Sequence, residues 1–311
     1  MLPNRDHVGL PLFPWGLLGI VTIPLGILAV IAYCRIFPPI LLGDVDYYAA
    51  ALPALISDAP LYDPASLGPH ILPPPPFWDQ APSTAIFSAF LLLPGGKLIW
   101  GLLMAASVIA GILVLMPRLG AGVVLFAPVV VALPPVIEGM AWSNLNALVF
   151  LMLAIAWRWP RQAGWAIGVA AAAKLMPILG VAWLAGRRDW RGVGVAVAIL
   201  VALTALAIIL TSPSVIVDFI TLRINQQPSP DEVRFGLADV GVPMAIIWLL
   251  AAAATAAAAW KASFSLAVLA MLLAAPAVHI HSVIFLLVPA LGIWAPWVIN
   301  RGREPGHVRA V

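Results

Sequence analysis

Apolar runs suited to crossing a bilayer recur along this chain near 10–33, 97–116, 121–137, 145–159, 191–211, 241–260, 262–277 and 281–299. A helix perpendicular to the membrane needs about 20 apolar residues. Several of these runs are shorter, which predicts helices that stop where the protein encloses a cavity. Two further apolar segments suit a crossing poorly. Residues 84–95 end in Pro94-Gly95-Gly96. Residues 163–186 carry Lys174 and Pro177 near their middle and basic clusters on both flanks. A crossing there would leave one cluster on the wrong side of the membrane by the positive-inside rule, and proline ends or kinks the helix before it. The segment therefore reads as a hairpin of two half-helices that enters from the cytoplasm and turns near Lys174 to Pro177.

Eight crossings with both termini inside place eleven basic residues in the cytoplasm and three, Arg35, Arg223 and Arg234, outside. Lys97 and Lys174 remain at membrane depth. Two long outer loops result, 34–83 and 212–240, and the first is expected to form short amphipathic helices at the interface. Glu138, Asn144 and Asn146 fall in a short outer turn, and His279 and His281 in another. The first run, about 24 residues against the 7–15 of a signal-peptide core, reads as a retained anchor.

Composition agrees with this pattern. Of the 311 residues, 63% are hydrophobic and 9% charged, against roughly 25% charged in a soluble domain. A single integral membrane domain over 1–311 is the expected organisation, all-α and multi-pass in the cell membrane. The lone Cys34 excludes an internal disulfide and a cysteine-rich metal site. Thirteen Trp suit interface belts, and thirty Pro imply broken helices and rigid loops. The excess of basic residues follows from topology and is no sign of nucleic-acid binding.

The polar residues at the outer side are the candidate chemistry. Asp44 and Asp46 leave the first apolar run beside Tyr47 and Tyr48; a carboxylate at such a mouth is poorly solvated and suits a general base, or it is simply a solvated loop end. Asn144 and Asn146 suit a helix cap as well as a binding role. His279 and His281 suit an interface as well as a site, and an i, i+2 pair without a third ligand is a poor metal centre. Lys174 lies too deep to snorkel easily, and an intramembrane charge is a functional candidate by default. No phosphate loop, His-Glu-x-x-His or Gly-x-Ser-x-Gly elbow competes.

Four stretches resemble glycosyltransferase family 87, polyprenyl-phosphate-mannose-dependent mannosyltransferases of the GT-C class. Gly43-Asp44-Val45-Asp46-Tyr47-Tyr48-Ala49-Ala50 with Leu61-Tyr62-Asp63-Pro64 is similar to the family's Asp-x-x-Tyr-Tyr-x-Ala-Ala and Leu-Tyr-Asp-Pro. Asn144-Leu145-Asn146 resembles its Gln/Asn-x-Asn. Ala163-Gly164 through Ala173-Lys174-Leu175-Met176-Pro177 to Arg187-Arg188-Asp189-Trp190-Arg191 resembles its Ala-Gly, Ala-Lys-x-x-Pro and Arg-Arg-x-Trp segment. Pro276 to His281, running into Leu287-Val288-Pro289-Ala290-Leu291, is similar to its Ser-Pro, Trp-x-His and Leu-Leu-Pro-Ala, with Ala275 and His279 where Ser and Trp are usual.

The resemblance implies a GT-C-like bundle of about 8–10 transmembrane helices with re-entrant half-helices. It implies transfer of a hexose, mannose in the family, from a polyprenyl-phosphate donor to a glycolipid or glycan acceptor at the extracytoplasmic face. Asp44 would be the catalytic base, with Asp46 secondary. Lys174 and His281 would hold the donor phosphate, and Tyr47, Tyr48, Tyr62, Trp78, Asn144, Asn146 and His279 would contact substrate. No metal or other cofactor is implied. The alternative is a transporter or flippase of polyprenyl lipid or a small solute, since half-helix hairpins also occur there.

Overall fold

The computed structural model describes residues 42–49, 51–56, 61–62, 80–116, 130–225, 237, 241–275 and 280–291, with seven helical positions between 24 and 35. No strand occurs among them. The expectations for Trp78, His279, most of the first apolar run, residues 121–129 and both termini lie outside the described residues.

Two short helices, α1 (Gly43–Ala49) and α2 (Leu52–Ile56), occupy the first long loop. Helix α3 (Pro82–Ser88) starts with proline in its first turn, where no N–H is needed, and runs into a 3-10 turn over Ala89–Leu92. Gly95, in the left-handed region at φ 71°, then opens α4 (Gly96–Leu115). Helices α5 (Pro134–Ala141) and α6 (Asn146–Arg158) follow. The expectation for Glu138 is corrected here. It lies inside α5 and not in a turn, because Pro134-Pro135 start a new helix that continues past it to Ala141.

Residues 163–186 fold as α7 (Ala163–Ala173), a break at Lys174 with extended backbone, a 3-10 turn over Met176–Leu179, and α8 (Gly180–Gly186). Helix α9 (Trp190–Leu210) comes next, capped by the Asp189 carboxylate, which accepts from the Gly192 N–H at 2.9 Å. The glycines show how these pieces run. A Cβ on Gly164 would lie 2.6 Å from the Gly192 carbonyl oxygen, and one on Gly168 would lie 2.9 Å from that of Ala196. The starts of α7 and α9 thus face each other and the helices run parallel. The chain must therefore return between them, which makes 163–186 a hairpin with Lys174 at its far end.

That far end is tied down by α3. A helix end leaves its last carbonyls without intrahelical partners. Here the Ser83 hydroxyl donates to the Ala172 carbonyl at 2.9 Å, and the Thr84 hydroxyl to the Ala173 carbonyl at 3.0 Å. Both hydroxyls are buried. The double substitution Ser83→Ala, Thr84→Val strands two carbonyls and is expected to cost about 1–3 kcal/mol for each buried acceptor left unpaired. A lowered melting temperature followed by tryptophan fluorescence reads this; an unchanged melt excludes the capping role.

Beyond α9, α10 (Val215–Asn225) lies in a stretch expected to be loop. Helices α11 (Met244–Trp260) and α12 (Phe264–Ala274) pack on each other, and a 3-10 turn over Ile280–Leu286 seats on α5 and α6. In the centre, α4 packs on α6, α6 on α7, and α7 on α9. Among the described residues, α4 and α9 are the two helices long and apolar enough to cross a membrane alone. Helix α9 buries little beyond Gly192, Ala196 and Ala207, and presents Val201 and Ile209 (79% exposed) outward. A surface of that kind is costly in water and suits lipid.

Candidate functional site

Helix α1 is fastened to the end of α5. The Leu42 N–H donates to the Ala141 carbonyl at 2.7 Å and the Asp44 N–H to the Trp142 carbonyl at 3.0 Å. The free donors at the start of one helix and the free acceptors at the end of another thereby satisfy each other. Two residues pay conformationally for the junction: Leu42 at φ 60° and Ser143 at φ 55° both lie in the left-handed region, costly for a residue with a Cβ. Gly101 of α4 makes room for them, since a Cβ there would meet Leu42 Cδ2 at 2.7 Å.

The junction sets the Asp44 side chain. Asn144 Nδ2 donates to Asp44 Oδ2, and Asn144 Oδ1 accepts from the Asn146 N–H at 2.8 Å. One amide thus caps the start of α6 and steadies the half-buried carboxylate. Asn146 is fully buried, and its Nδ2 donates to Ser282 Oγ at 3.1 Å. Ser282 lies on the 3-10 turn that also carries His281. A polar chain therefore runs from Asp44 through Asn144 and Asn146 to the residue beside His281.

Tyr48 backs this chain. Its ring lies 5.0 Å from that of Trp100, and its hydroxyl accepts from the Leu145 N–H at 3.2 Å. Trp100 Nε1 donates in turn to the Ser143 carbonyl at 2.8 Å. Burial first, and the Asp44 carboxylate second, hold the Tyr48 phenol well above the ordinary tyrosine range, with the Leu145 N–H pulling weakly the other way. The phenol therefore stays protonated. Tyr48→Phe preserves the ring packing but leaves the Leu145 N–H without its acceptor, an expected loss of about 1–3 kcal/mol. Thermal melts of the two proteins measure it.

The other sequence-identified residues are placed as follows. Tyr62 is buried, its hydroxyl donating to the Gln80 carbonyl at 2.5 Å and its ring 5.8 Å from Phe219. Lys174 is half-buried at the tip of the hairpin, next to the carbonyls held by Ser83 and Thr84. The backbones of Asp46, Tyr47 and His281 are described, on α1 and the last 3-10 turn, and their side chains are not. Among the described residues no group of three or more His, Cys, Asp or Glu is gathered for a metal. Ser282, Ser83 and Thr84 escaped the sequence reading. Nothing local marks them, since their partners lie 136, 89 and 89 residues away.

Chemically, a steadied, half-buried carboxylate can take a proton from a hydroxyl brought beside it. No curated protein and no solved structure matches the chain. The model of glycosyltransferase family 87 matches residues 80–311, a stretch that holds Asn144, Asn146, Lys174, His279 and His281 and follows Asp44. With well over half of its length inside that match, the chain belongs to glycosyltransferase family 87 and is a glycosyltransferase.

Proposed function

We propose that this glycosyltransferase is a single multi-pass GT-C membrane unit that moves a hexose, mannose by family likeness, from a polyprenyl-phosphate donor. The acceptor is a glycolipid or glycan at the extracytoplasmic face of the cell membrane. The acceptor hydroxyl attacks the anomeric carbon in line with the phosphate oxygen. As the new carbon–oxygen bond forms, the hydroxyl proton passes to the Asp44 carboxylate. The bond from the anomeric carbon to the phosphate oxygen breaks, and its electron pair leaves with the polyprenyl phosphate. Lys174 and His281 offset the charge gathering on that phosphate in a site of low dielectric. One displacement inverts the anomeric centre.

The observation that carries this reading is the hydrogen bond from Asn144 to Asp44, which orients the one carboxylate in register with the family's acidic motif. A base must be positioned before its basicity matters, and this amide is anchored by its own cap on α6. Asp46, Tyr47, Trp78 and His279 remain candidates for substrate contact. Tyr48 and Tyr62 would act from behind, as walls.

Purified full chain incubated with polyprenyl-phosphate hexoses and glycolipid acceptors tests the proposal. The expected result is one added hexose by product mass and an inverted anomeric centre by NMR. A retained configuration overturns the single displacement, and the absence of transfer from every lipid-phosphate sugar overturns the donor class. Asn144→Ala should lower kcat by about ten- to a hundredfold, with a smaller loss of stability from the missing cap. Unaltered kcat in a folded Asn144→Ala protein removes the positioning argument.

A further inference from the structure

The end of the bundle remote from the Lys174 tip carries a different chemistry. Three connections meet there: from α6 to α7, from α8 to α9, and from α11 to α12. Phe264 joins them, its ring 5.3 Å from Trp157 and 4.8 Å from Trp183. Gly186 abuts the backbone of Ala259, and Gly164 abuts Gly192, which brings the chain ends of six helices into one rim. On this rim stand Arg158, Arg161, Arg187, Arg188, Arg191 and Lys261, all exposed. The only carboxylate in these connections, Asp189, is engaged as the cap of α9.

Exposed indoles share the rim. Trp260 is 81% exposed, Trp190 67% and Trp159 45%. Lys261 Nζ lies 4.2 Å from the centre of the Trp260 ring. Indoles at the edge of an apolar bundle sit at the level of lipid headgroups. Six like charges on a rim this small repel each other, and within these connections they meet one carboxylate, the Asp189 cap, and the ring faces that Arg187 and Lys261 lie over, Trp183 and Trp260. An anion on the rim would offset the remaining excess of positive charge.

We propose that this rim binds anionic phospholipid of the adjoining leaflet, and that the bound lipid stabilises the base of the 163–186 hairpin. The phosphate charge offsets the mutual repulsion of Arg187, Arg188 and Arg191 at the foot of α8 and α9, while the indoles seat among the headgroups. The occupant is a bilayer lipid and not free phosphate, because charge and exposed indole occur together on the rim of an apolar bundle. The proposal is independent of the sugar chemistry: it concerns the opposite end of the hairpin, and its readout is stability.

The test uses the full chain in nanodiscs of phosphatidylcholine alone and of phosphatidylcholine with phosphatidylglycerol at two to one. Unfolding is followed by tryptophan fluorescence, and bound lipid is counted by native mass spectrometry. The anionic discs should raise the melting temperature by several degrees, and high salt should erase the rise, because the Debye length falls to about 3 Å at 1 M. The triple variant R187Q, R188Q, R191Q should lose the rise and at least about tenfold in retained phosphatidylglycerol. The charge-conserving R187K, R188K, R191K should keep both. R161Q with K261Q, on the other two connections, should weaken retention if the triple glutamine variant does not fold. Inorganic phosphate added to phosphatidylcholine discs should do nothing; a rise there identifies a free-anion site and overturns the lipid assignment. Equal melting in both discs, or a full rise in both glutamine variants, overturns the proposal.

Discussion

Asp44→Asn, made in the full chain, should lower kcat for sugar transfer by about 10²–10⁴-fold, the usual weight of general-base catalysis. The substitution is chosen for what it spares. An asparagine carbonyl still accepts from Asn144 Nδ2, and the Asp44 N–H still reaches the Trp142 carbonyl. The junction of α1 with α5 therefore persists, and the melting temperature should stay within about 1 kcal/mol of the parent in stability, as for substitutions that leave packing intact. KM for both substrates should shift little, since the base acts on a proton that moves only in the transition state. Asp44→Glu, which returns a carboxylate displaced by one methylene, should recover a part of the loss. Product mass over time reads all three proteins. Wild-type turnover in Asp44→Asn would remove the mechanism and leave the family assignment standing.

The second large effect is on stability. In Gly186→Ala the new methyl would lie 2.0 Å from the carbonyl oxygen of Ala259, with the rest of that peptide at 2.7 and 2.9 Å. All three atoms are backbone, so no side chain can swing aside, and α8 must part from α11. Overpacking of this kind costs about 1–3 kcal/mol, and more where the backbone must move. Gly194→Ala is the control. Gly194 lies in α9 with nothing within 4 Å of the added methyl, and there alanine should stabilise by about 0.5–1 kcal/mol. Melting temperatures should therefore move in opposite directions for two chemically identical substitutions. If Gly186→Ala melts like the parent, the base of the hairpin is not packed as described.

These contrasts show which features could be read from the chain. The hairpin was legible because its causes are local: arginines on both flanks, and Pro177 in the middle where a continuous helix would need an N–H. Helices α4 and α9 were legible because long apolar runs lie between clear stops, Gly95-Gly96 and Asp189 at their starts. Glu138 was misplaced because the apolar run 121–137 reads as one crossing with a turn straight after it, whereas Pro134-Pro135 begin a helix that continues to Ala141. Asn144 reads as a helix cap or a substrate contact; the fold shows the cap, its oxygen accepting from the Asn146 N–H, and a partner no local pattern announces, the Asp44 carboxylate. Ser83, Thr84 and Ser282 are ordinary hydroxyl residues in apolar company, and their importance comes from acceptors and donors delivered by distant helices. Burial of Tyr48 and Tyr62 is of the same kind, since a tyrosine beside an acidic motif is equally plausible facing substrate or facing the core.

The parallel course of α7 and α9 has one more consequence. A segment that comes back to the side it left adds nothing to the parity of the chain. On the multi-pass topology proposed above, a reporter fused after α9 should therefore register the same side with or without 163–186. Parity and packing are separate matters: the same segment that is neutral for orientation is held at its tip by Ser83 and Thr84 and at its base by Ala259.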